Sequence, residues 1–74
     1  MFDKYTVVDA FLIENQQVLV LDREFNIGKR YKGIVEIAGK SFKYQLNSVR
    51  NWIIIQNTES FKGMTAMFAV DWII

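Results

Sequence analysis

Seventy-four residues without cysteine or histidine make one domain and exclude disulfides, thiolate metal sites, thiol nucleophiles and the commonest general base. The net charge is only +1, but Lys4 and Arg23 against Asp3, Asp9, Glu14, Asp22 and Glu24 leave residues 1–28 at −3. Lys29, Arg30, Lys32, Lys40, Lys43, Arg50 and Lys62 against Glu36 and Glu59 put residues 29–62 at +5, a balance that suits either an acidic partner or solvated edge and loop charge.

Val, Ile and Thr number 19 and the aromatics 11, a composition suited to pleated, half-buried surfaces. Burying the apolar surface of a chain this size yields about 110 kcal/mol, and ordering it costs about the same. Most apolar residues must therefore be inside. No apolar run approaches the ~20 residues of a membrane-spanning helix. The N-terminal run contains Asp9 and lacks a small-residue cleavage pattern, so the expectation is a cytoplasmic protein without membrane association.

In chain order, Met1–Lys4 is a lead-in with Phe2 folded back or frayed. Tyr5–Ile13 is the first strand, and both of its alternating sets are largely apolar, which predicts cover on more than one side or a tightly closed barrel. Asp9 interrupts it and needs partners, such as backbone donors at a strand crossing. Glu14–Gln17 is a turn with Asn15 suited to positive φ, and Val18–Leu21 returns. In the loop Arg23–Gly28, Phe25 and Ile27 can reach the core. Lys29–Lys32 is a basic connector.

A third strand, Tyr31–Ala38, is interrupted by Gly33 as a bulge. Ala38-Gly39-Lys40 turns into Ser41–Leu46, where Phe42, Tyr44 and Leu46 alternate with Ser41, Lys43 and Gln45 as a core face against a solvated face. Asn47–Gln56 reads as a strand bent near Asn51, with a helical turn capped by Ser48 as the alternative. Asn57–Lys62 is a polar loop, and Met64–Ile74 is the last strand. Six strands, short loops and no proline predict an all-β fold, a small closed antiparallel β-barrel spanning residues 1–74 as a single domain.

The order of these motifs resembles domain 2 of translational GTPases such as elongation factor Tu, the translation-protein β-barrel. Val7-Val-Asp9-Ala-Phe11-Leu-Ile13 matches that family's opening strand, and Val18–Leu21 its return strand. Phe25-Asn-Ile27-Gly28 followed by Val35-Glu-Ile37-Ala-Gly39 matches its central stretch. Leu46-Asn-Ser48-Val49 and Lys62-Gly63-Met64-Thr65-Ala66-Met67-Phe68 echo its later strands. Glu14-Asn15-Gln16-Gln17 replaces the family's glycine-rich hairpin, and the 74 residues contain no phosphate-binding Gly-x-x-x-x-Gly-Lys-Ser/Thr loop. The resemblance implies the barrel, and in the family this barrel contacts RNA or protein.

Catalysis is not expected: Ser41, Ser48 and Ser60 have no histidine to activate them, the carboxylates are scattered, and no cofactor is implied. Two binding readings remain. Arg30-Tyr31-Lys32 and Phe42-Lys43-Tyr44, with Lys29, Arg50 and Trp52, interleave cations and rings as single-strand RNA binders do. Phe42 and Tyr44, however, alternate in phase with a core face. Trp72, Ile73 and Ile74 are apolar beyond the needs of a closing strand; exposed, they point to a protein interface or to self-association through that terminus, and buried, they finish the barrel. A protein partner is the favoured expectation, in a regulatory, inhibitor or immunity-type role.

Overall fold

A computed structural model describes residues 2–25 and 31–70. Six strands form a closed antiparallel barrel, β1 (Phe2–Ile13), β2 (Gln16–Leu21), β3 (Tyr31–Ile37), β4 (Lys40–Leu46), β5 (Trp52–Ile55) and β6 (Thr65–Val70), in the order β1-β2-β5-β4-β3-β6. No helix among the described residues is long and apolar enough to cross a membrane. The all-β closed barrel expected from the alternation is thus present. The terminal Trp72–Ile74 and the loop residue Ile27 lie outside the described residues.

Closure depends on two strands that each change partner midway. β1 pairs with β6 from Phe2 to Thr6 and with β2 from Val7 to Ile13, with a bulge between Val7 and Asp9. β4 pairs with β3 through Lys40–Lys43 and with β5 through Tyr44–Leu46. Phe2–Lys4 are therefore strand residues, with Phe2 opposite Ala69, and not a frayed lead-in. In β3 the register shifts between Tyr31 and Val35, and Gly33 at φ 80° supplies the backbone conformation that this irregularity requires.

The inward set is Tyr5, Val7, Leu19, Leu21, Val35, Ile37, Ile53, Ile55, Ala66 and Phe68, all buried. Phe25, just past β2, stacks among Tyr5, Tyr31, Tyr44 and Phe68 at ring separations of 4.2 to 5.9 Å. The Arg23 guanidinium caps the Tyr5 ring at 3.9 Å and donates to the Lys4 carbonyl at 2.7 Å. Near the start of β2, Phe61 is buried against Phe42 at 5.5 Å.

Gln17 is the one buried polar side chain among the described residues, and the sequence reading placed it in a turn. Its Nε2 donates to the Glu59 carbonyl at 2.6 Å and its Oε1 accepts from the Phe61 N–H at 2.9 Å. The long loop before β6 is thereby fastened to the barrel.

Local geometry corrects three further expectations. In the β1–β2 turn the positive φ of 57° belongs to Glu14, the first central position, and not to Asn15. Residues 47–51 form a turn where a strand was expected, because Asn47 Oδ1 accepts from Val49 N–H at 3.0 Å and Val49 C=O accepts from Trp52 N–H at 3.0 Å. Asn47, not Ser48, provides the cap. Leu46, expected on the core face, is 57% exposed, because β4 runs past the interior into that turn.

Candidate interaction face

Antiparallel register puts directly opposed residues on the same face. On the outside of the barrel, Phe11 lies opposite Val18 and Val18 opposite Ile54, while Val20 lies opposite Trp52. Ile13 extends the same face beside Gln16. The Phe11 ring sits 5.9 Å from Trp52 at a 50° tilt, and together they cover Val18, which is buried although it points away from the core. An apolar stripe thus runs over β1, β2 and β5.

The stripe is uncovered where β1 extends beyond its bulge. Phe11 is 43% exposed and Ile13 58% on this outer face, Leu12, opposite Gln17 on the other face, is 50% exposed, and Val8 is also exposed. Of the two expectations for this doubly apolar strand, the closed barrel holds for its first half, while among the described residues its distal half pairs with β2 on one side only. Residues flanking a two-residue hairpin turn are a hydrogen-bonded pair. Ile13, Phe11 and Asp9 therefore direct their backbone groups toward β2, and Leu12 and Ala10 direct theirs to the other side.

That other side is paired only up to the bulge. Val7 N–H donates to Met64 C=O at 2.8 Å and Gly63 N–H to Val7 C=O at 2.7 Å. Beyond it, Asp9 Oδ1 accepts from the Ala10 N–H at 2.9 Å, and Lys62 Nζ stands 3.9 Å from the same oxygen. The carboxylate thus accepts from the next residue's N–H and is partly exposed, where donors at a strand crossing were expected. Among the described residues, no backbone partner outside the β1–β2 ladder meets Leu12.

Next to the stripe lies a shallow depression of about 120 Å³ lined by Gln16, Gln45, Gln56 and Lys43 over Ile54, Ile55 and Tyr44. An apolar centre with an amide and lysine rim has the composition of a protein-binding surface. Among the described residues, no group of three or more carboxylates is placed to hold a metal ion.

The residues singled out from sequence are distributed over different parts of the molecule. Tyr31 packs 4.2 Å from Phe25 and donates its hydroxyl to Asp3 Oδ2 at 2.6 Å. Burial, and then the Asp3 hydrogen bond, push its phenol well above the ordinary range. Burial also pushes Tyr44 up to about 12, with a smaller contribution from Tyr5. These rings, with Phe42, belong to the interior cluster. Lys43 is exposed at the rim of the depression. Arg50 is exposed in the turn before β5, where its carbonyl accepts from Phe25 N–H at 2.9 Å. Lys29, Arg30, Trp72, Ile73 and Ile74 lie outside the described residues.

The face on β1 was not singled out from sequence. Its signal was the doubled apolar pattern of Tyr5–Ile13, which by itself does not separate a strand covered twice from one left open. Comparison with protein-family models, with curated proteins and with solved structures gives no match.

Proposed function

We propose that this chain is a non-enzymatic interaction module of the translation-protein barrel type that binds a protein partner through the distal half of β1 and the adjoining outer face of β2 and β5. The observation that carries this reading is the run of exposed Val8, Phe11, Leu12 and Ile13 along a strand edge that no other strand pairs with among the described residues. A fold this small needs most of its apolar residues inside, so three consecutive exposed ones at a strand end mark a surface kept for contact. The absence of histidine and cysteine supports a non-catalytic role. A regulatory, inhibitor or immunity-type task is in keeping with such a module.

The rival is RNA binding through residues 29–62. Of its aromatic members, Tyr31, Phe42 and Tyr44 pack against the barrel's core and Trp52 lies on the outer face paired with Phe11, so the rings do not gather into one stacking platform, which argues for the protein reading. The test is retention of ligands from a native lysate by the immobilised chain, with and without nuclease, compared with a Phe11→Ser/Ile13→Ser variant. Protein retained despite nuclease and lost in the variant is the expected result. Retention that nuclease and salt abolish, and that the variant leaves intact, would favour RNA and overturn the proposal.

A further inference from the structure

We infer that two copies of this chain pair antiparallel along the open edge of β1, with Leu12 opposite its own symmetry mate. The inference rests on the reading of β1 as the contact face and commits that face to one occupant.

The backbone selects the register. Of the groups that β1 directs away from β2 beyond its bulge, the Ala10 N–H is already taken by Asp9 Oδ1 at 2.9 Å. Leu12 keeps both its donor and its acceptor. A two-fold axis at Leu12 matches each Leu12 N–H to the other copy's Leu12 C=O without displacing Asp9. The same axis sets Phe11 opposite Ile13 of the second copy, twice over, as the close non-hydrogen-bonded pairs of the ladder. These pairs fall on the outer face, where Trp52 already supports Phe11. The Asp9 carboxylate and its neighbour Lys62 then end the pairing at the bulge, as charges do on protected edges.

The area suits a second copy. Phe11, Leu12 and Ile13 together expose about 300 Å² of apolar surface. At an interface apolar fraction of about 60%, this corresponds to roughly 500 Å² per chain, the size of a weak, concentration-dependent dimer.

Light scattering of the full chain from 1 µM to 1 mM should show the mass rising from 8.7 kDa toward double, with a dissociation constant on the order of 10 µM. Leu12→Pro removes only a donor that points away from β2, a position where edge strands accept proline. It should weaken self-association at least tenfold with an unchanged circular dichroism spectrum. Ile13→Lys should do the same through charge and serves if the proline variant fails to fold. Ile34→Lys, exposed on β3, should leave the dimer intact. With no native cysteine, a mixture of Phe11→Cys and Ile13→Cys chains oxidised with glutathione disulfide should cross-link to each other in preference to themselves.

A chain that stays monomeric at 1 mM, a dimer indifferent to both edge variants, or self-linking without mixed linking would overturn the inference. A monomer whose lysate partner is still lost with Phe11→Ser/Ile13→Ser sinks the dimer and leaves the interaction face standing. A dimer of the expected register that captures no other protein confirms the pairing and removes the second partner.

Discussion

Gln17 fastens the loop before β6, because its carboxamide satisfies one acceptor and one donor of that loop inside the protein. Replacing it with leucine keeps the volume and strands both backbone groups. Gln17→Leu should cost about 2–4 kcal/mol in urea unfolding, whereas Gln45→Leu on the surface should stay within about 0.5 kcal/mol. Tyr44 supplies a pH test. Its hydroxyl rises from the ordinary 10.0 to about 12 in the folded chain, so the native state holds the proton more tightly than the unfolded one. Its contribution to stability is fully present below pH 10 and is lost as pH rises through 12. Thermal melts should therefore drop between those values, and Tyr44→Phe should flatten part of the drop. Tyr44 was legible from sequence as an alternating core residue. Gln17 was not, although it lies in phase with Leu19 and Leu21, because a polar side chain at a strand start usually faces water.

Among the elements, the β3–β4 hairpin is regular but its chemistry is not ideal. Ala38 sits at φ 52° before Gly39 at φ 77°, the geometry of a type I′ turn, in which Asn-Gly is preferred. Ala38→Asn should raise stability by about 0.5–1 kcal/mol, seen as a melting-temperature gain of several degrees. The loop after β2 makes the opposite case. Phe25 belongs to no strand yet lies at the centre of the aromatic cluster, and Phe25→Ala should cost about 3–5 kcal/mol. Strand existence followed from alternation at β1 and β4, and from β-branching at β5. Element limits shifted where a side chain competed with the ladder, as Asn47 does.

At the scale of the molecule, the barrel closes because β1 and β4 each serve two neighbours in turn, and this leaves the end of β1 open on one side. Amide hydrogen exchange offers a direct view. In dilute solution the Phe11 and Ile13 amides should be protected by β2 and the Leu12 amide should exchange fast. At millimolar concentration Leu12 should gain protection of at least tenfold if its edge is paired. The outward stripe of Phe11, Val18, Trp52 and Ile54 is assembled from three strands distant in sequence, so no local pattern marks it.

The 74 residues alone determined that the chain is all-β, that it forms a closed barrel and that it has neither cysteine nor histidine. Alternation, turn residues and composition act locally and need no partner in space. Tertiary structure alone decided which apolar residues are covered. Phe11, Leu12 and Ile13 are hydrophobic like Leu19 or Ile53, yet they are exposed: Phe11 and Ile13 face outward, and Leu12 lies past Thr6, where the β1–β6 pairing stops. Burial depends on where a neighbouring strand ends, and that is set by the pairing of residues about sixty positions apart. The opening strand is legible as a strand from its sequence, and the exposure of its far end only from its surroundings.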